Sequence, residues 1–164
     1  MVVAFDRRSG QRTGLSDSAF DAWHARWSED GRWLTYLSDE SGQPEAYVQP
    51  WPAGTPRVRA TFGGADHPQW GPGRTLYFSR GDAVMRATVS GTTRATVSTP
   101  ERVLSASGLR DFAVDGRRDR VLVIGTDQSA SPTPTGGFLV LEWSSLVPPP
   151  PQALTKPAAN SASA

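Results

Sequence analysis

Two histidines, His24 and His67, lie 43 positions apart, and each stands three residues before a tryptophan, Trp27 and Trp70. Imidazoles at matching places, with Asp66 beside the second, suggest ligation of a divalent metal, for which neutral imidazole and carboxylate are usual donors. The competing reading is that both open a strand and hydrogen-bond a neighbouring loop. The next corresponding place holds Leu109 and no third ligand is evident, so no metal is expected. For nucleophilic catalysis the nearest approach to a Gly-x-Ser-x-Gly elbow is Gly14-Leu15-Ser16-Asp17-Ser18, which lacks the final glycine and does not precede a helix. The carboxylates of Asp39 and Glu40 fall in a loop and read as solvated. Gly63-Gly64 and Gly136-Gly137 precede strands, whereas a phosphate cradle needs a helix N-terminus behind it. No catalytic residue is therefore assigned, and no cofactor is expected.

Composition sets the same limits. With 17 Lys plus Arg against 16 Asp plus Glu, the net charge is +1, which supplies no field that would gather nucleic acid or an acidic membrane. The absence of cysteine removes disulfides and thiolate metal sites and leaves the compartment open. No apolar run reaches the ~20 residues of a membrane span. Met1 to Asp6 has neither the basic start nor the apolar stretch of a signal peptide. Sixteen glycines, 14 prolines and six tryptophans among 164 residues point to an all-β chain with many turns.

The elements that position these residues recur. His24-Ala25-Arg26-Trp27 runs into Ser28-Glu29-Asp30-Gly31-Arg32-Trp33-Leu34, and His67-Pro68-Gln69-Trp70 runs into Gly71-Pro72-Gly73-Arg74-Thr75-Leu76. A more worn copy is Arg110-Asp111-Phe112-Ala113-Val114-Asp115-Gly116-Arg117. Trp27 to Trp70 is 43 positions and Trp70 to Phe112 is 42. A period of about 40–45 residues with four short strands is what one blade of a β-propeller requires. The expected fold is thus an all-β propeller fragment of about three four-stranded antiparallel blades in an incomplete ring. Its organisation reads as the C-terminal half of a preceding blade over 1–22, blades over 23–65 and 66–108, an incomplete last blade over 109–147, and a disordered Pro/Ala/Ser tail over 148–164. Trp27, Trp70 and Phe112 are expected to fill the wedges between blades, and Gly31, Gly73 and Gly116 to turn the hairpins. Because inner-strand side chains alternate, His24, Arg26, His67, Gln69 and Arg110 form the candidate binding surface, at the channel or the top of the blades.

The element Trp27-Ser-Glu-Asp-Gly-Arg-Trp-Leu34 resembles the repeat of TolB-like, WD-repeat-like bacterial propellers, which usually reads Trp-Ser-Pro-Asp-Gly before a short apolar strand. The stretch Tyr36-Leu-Ser-Asp-Glu-Ser-Gly-Gln-Pro-Glu-Ala-Tyr-Val-Gln-Pro-Trp-Pro52 and the segment Phe138-Leu-Val-Leu-Glu-Trp143 resemble the C-terminal propeller region of bacterial membrane-anchored serine/threonine protein kinases. The likeness covers roughly residues 2–147, departing where Glu29 and Val114 replace the repeat's proline and where the middle copy lacks its Asp. It implies a non-catalytic interaction or sensing module in an extracytoplasmic place, with a protein or peptide partner and the missing blades of the parent as neighbours. No kinase motif is present: there is no Gly-rich loop with a strand Lys, no His-Arg-Asp and no Asp-Phe-Gly. Other parents with such a propeller are a TolB-like periplasmic scaffold and a peptidase of the prolyl-oligopeptidase type. The latter is disfavoured because a proline-rich tail follows the repeats.

Overall fold

A computed structural model describes residues 1–52, 56–118, 120–126 and 138–142. The expected loop over 127–137 and tail over 148–164, and Trp143 with them, lie outside the described residues.

The chain is all-β. Its 14 strands form antiparallel sheets in sequence order, none of them closed on itself. A leading pair joins β1 (Val3–Phe5) to β2 (Arg12–Gly14). Sheet 1 runs β3 (Ala22–Trp27), β4 (Trp33–Ser38), β5 (Glu45–Pro50), β6 (Val58–Arg59). Sheet 2 runs β7 (Asp66–Gly71), β8 (Thr75–Arg80), β9 (Ala83–Ser90), and both β10 (Thr96–Val97) and β11 (Glu101–Ser105) pair with β9. Sheet 3 runs β12 (Leu109–Asp115), β13 (Arg120–Gly125), β14 (Phe138–Glu142). A single 3-10 turn, Pro72–Arg74, joins β7 to β8, and among the described residues no helix is long and apolar enough to cross a membrane.

Three apolar clusters correspond to three sheet-on-sheet contacts. Leu15, Val2 and Ala4 pack against Leu34, Tyr36 and Tyr47 of sheet 1. Trp33, Leu37 and Val48 of sheet 1 meet Leu76, Phe78 and Val89 of sheet 2. Val84, Val103 and Leu104 of sheet 2 meet Phe112, Val121 and Val123 of sheet 3. Sheet 1 is therefore covered on both faces, which explains why every residue of β4 and β5 is buried and why β4 is apolar on both sides of its pleat.

Polar residues inside this stack are satisfied locally. Glu45, 1% exposed, accepts hydrogen bonds from the Thr61 hydroxyl, Gln43 Nε2 at 2.8 Å and the backbone N–H groups of Gly63 and Gly64 at 2.8 and 3.0 Å. Burial by itself would raise its pKa, but these four donors outweigh it and hold the carboxyl below the ordinary glutamate value. Tyr36 donates to the Leu15 carbonyl at 3.3 Å, and its burial pushes the phenol up to about 12.

Strand pairing also corrects the alignment of the third repeat. Trp27 pairs with Leu34, Trp70 with Leu76 and Val114 with Val121, each the first long-range pair or next to it above its hairpin. The residue in β12 that corresponds to Trp27 and Trp70 is therefore Val114, and Phe112 lies two positions earlier. The cause is a bulge. In β3 and β7 the register shifts between Trp23 and Arg26 and between Asp66 and Gln69, whereas β12 shifts between Leu109 and Asp111 and then runs regularly. Phe112 is buried, as expected, but Trp27 is 47% exposed. It points to the same side as Ala25, toward the leading pair, and meets the Trp51 ring edge-on at 5.0 Å. That pair contains no inner strand to cover it. Trp70 points the same way from sheet 2, finds sheet 1 there, and donates its indole N–H to the Arg26 carbonyl at 3.2 Å.

Gly31 and Gly73 sit at φ 66° and 62°, where a glycine is needed. Gly116 is not in that region. Its requirement is spatial, because a Cβ there would collide with the ring of Pro72 in the neighbouring hairpin.

Candidate functional site

The inner strands β3, β7 and β12 lie side by side, and their bulges bring four titratable side chains together. The rings of His24 and His67 face each other, centroids 5.2 Å apart and tilted by 31°. Asp66 presents one oxygen to each: Oδ1 is 3.6 Å from His24 Nδ1 and Oδ2 is 3.5 Å from His67 Nδ1. Asp111 Oδ1 approaches His67 Nε2 at 4.0 Å from the third strand. His24 Nδ1 is shielded from water and has no hydrogen-bond partner.

Backbone geometry holds this group in place. His24 and His67 both have positive φ, 52° and 49°. For a residue with a Cβ this left-handed conformation costs on the order of 1–2 kcal/mol. Both residues fall in the bulge of their strand, which turns the ring out of the regular alternation. The two aspartates are fixed by one device: Asp66 Oδ1 accepts the N–H of His67 at 2.8 Å, and Asp111 Oδ1 accepts that of Phe112 at 2.7 Å. They also pair with corresponding residues, Ser79 and Ile124, so they occupy the same place in successive strands.

Of the five residues singled out in the sequence, His24 and His67 meet directly. Gln69 ties β7 to β12 by donating its side-chain amide to the Phe112 carbonyl. Arg26 folds back on its own strand, donating to the Ala25 carbonyl at 2.9 Å. Arg110 is exposed at the register shift of β12 and does not correspond to Arg26 and Gln69; Ala113 does, since Arg26, Gln69 and Ala113 pair with Thr35, Tyr77 and Leu122. Asp111 was missed because the Trp-to-Phe spacing placed it opposite Gln69. The usable signal is an Asp that opens the inner strand one residue before the bulge.

Chemically the group is two imidazoles and two carboxylates on a partly exposed rim. Among the described residues no three His, Asp or Glu side chains are arranged to hold a metal ion. Ser16, nearest to a nucleophile in the sequence, accepts the Val2 N–H at 2.7 Å and serves to tie the N-terminal residues to the loop after β2. No family model matches the chain, and no curated protein matches it in sequence.

Proposed function

We propose that the chain is a non-catalytic β-propeller module for interaction or sensing, and that the rim around His24, Asp66, His67 and Asp111 is its binding surface. The observation that carries this reading is the strained backbone at His24 and His67. Non-glycine residues in the left-handed region persist where surrounding structure enforces them, and they gather at functional sites. Here the same strain recurs at the same bulge in two successive repeats.

The propeller reading rests on the repeated order of the sheets, their face-to-face packing in sequence order and the adjacency of their inner strands. Radially packed four-stranded sheets give such contacts. By its resemblance to the propeller region of bacterial serine/threonine kinases, the chain is read as the C-terminal part of a larger ring whose other domains hold any activity. The purified chain is expected neither to transfer phosphate from ATP nor to hydrolyse ester or peptide substrates.

The test is a screen of peptide ligands against the chain by heteronuclear NMR. Shifts clustered on residues 22–26, 66–69 and 109–113, and lost in a His24→Ala/His67→Ala variant that still folds, support the reading. Binding confined to other residues would overturn the assignment of the rim.

A further inference from the structure

Two apolar faces are left open at opposite ends of the row of sheets, and each has a covered counterpart inside the same chain. At one end stands Trp27, 47% exposed, with Val3 and Phe5 exposed beside it on the leading pair. At the other end Ile124 of β13 is 38% exposed. Strand pairing makes Ile124 the counterpart of Leu37, since Leu34 and Val121 pair with Trp27 and Val114 respectively and each lies three residues earlier. Leu37 is fully buried because sheet 2, with Trp70, lies over it.

The contact between sheets 1 and 2 therefore shows what each open face fits. In it, the tryptophan of one inner strand lies on the preceding sheet and its indole donates to an outward carbonyl, that of Arg26. The counterpart of Arg26 in β12 is Ala113, which is exposed. Trp27 and the β12–β13 face thus have the complementary parts of one contact, but they sit at opposite ends of one chain. The strands complement each other too. The leading pair has no inner strands, whereas sheet 3 has β12 and β13 at its inner side.

We propose, resting on the propeller reading above, that the occupant is a second copy of this chain. Trp27 of one copy packs over Ile124 and Leu122 of the second copy and donates its indole N–H to the carbonyl of Ala113 there. The same contact recurs in the other direction. A head-to-tail contact closes a ring or runs on as a filament, according to its rotation. Two copies, with each leading pair completing the other's sheet 3, give six sheets, inside the range of about 4–8 in closed propellers.

Sedimentation equilibrium of the intact chain tests this. The expected result is one species of twice the 17.6 kDa chain mass. Trp27→Glu and Ile124→Glu each weaken dimerisation by at least about 30-fold, as loss of a central interface residue does. An equimolar mixture of the two variants, which retains one intact contact, recovers a dimer. Trp27→Phe, which keeps the bulk and lacks the N–H, weakens it by roughly five-fold. Ile124 is already at the surface, so its variant folds, which circular dichroism verifies. A monomer, or an open-ended series of sizes, overturns the proposal. If the indole proton of Trp70 in such a monomer still shows its hydrogen bond, only the second copy is lost. If that bond is absent as well, the propeller reading falls with it.

Discussion

The carboxylate of Glu45 holds three stretches of sheet 1 at once: the start of β5, Thr61 and the Gly63-Gly64 turn. Its lowered pKa makes the contribution to stability complete above the ordinary value of 4.5, and progressively lost as pH falls through the lower folded value. Glu45→Ala leaves two backbone N–H groups and a hydroxyl without their acceptor, at a cost of about 3 kcal/mol in chemical denaturation. Glu45→Gln should flatten the loss of stability between about pH 4.5 and 3 compared with the parent. An unchanged acid limb in the variant would mean that other carboxyls set it. The histidines behave in the opposite sense. Replacing His24 by glycine removes the penalty of its positive φ and should leave the melting free energy unchanged or raised by about 1 kcal/mol, while ligand binding at the rim is lost. A drop of several kcal/mol would make His24 structural.

Within the β3–β4 hairpin the same economy is visible in Ser28. Its hydroxyl donates to Asp30 at 2.7 Å and accepts the Trp33 N–H at 2.9 Å, and the Asp30 carboxylate accepts the Arg32 N–H at 3.1 Å. The Ser28 hydroxyl is the main cause that keeps Asp30 below its usual pKa. Ser28→Ala should destabilise by about 1–2 kcal/mol in urea melts, more than Asp30→Ala, because Ser28 alone is buried. This hairpin also shows what sequence can and cannot convey. Alternation and turn residues placed β4 to β6, β8, β9, β11 and β13 within one or two residues, because each strand has its own apolar period bounded by Gly, Pro or Asp. The bulges were not legible. They follow from contacts between inner strands, and no local propensity marks His24 or His67 for positive φ. Losing one bulge residue in β12 was enough to hide Asp111 and to align Phe112 with Trp27.

Across the whole molecule, burial falls off unevenly from sheet 1. Both faces of β4 and β5 are covered, whereas the leading pair is covered on one face and Val3 and Phe5 are exposed on the other. Amide hydrogen exchange should therefore be slowest at Tyr36, Leu37, Tyr47 and Val48, approaching the global unfolding free energy, and fastest in β1 and β2, which open locally. Equal protection in β1 and β4 would show that the open face is covered in solution. The order of sheets was readable because each repeat encloses its own strands. The exposure of Trp27 was not, because its burial depends on a neighbouring sheet and not on the strand that carries it.

The two rim ties, Trp70 to the Arg26 carbonyl and Gln69 to the Phe112 carbonyl, have a mechanical meaning. Each joins one sheet to the next at the innermost strand, so a load pulling the chain ends apart must pass through them in series. The apolar clusters between the sheets resist sliding, but they yield once a rim bond opens and water enters the wedge. Stretched from its ends, the chain would pay out in steps of one sheet, with the leading pair first because it lacks an inner strand and so any such rivet. A Gln69→Ala substitution would lower the force of the step that separates sheet 2 from sheet 3 and leave the step between sheets 1 and 2 where it was.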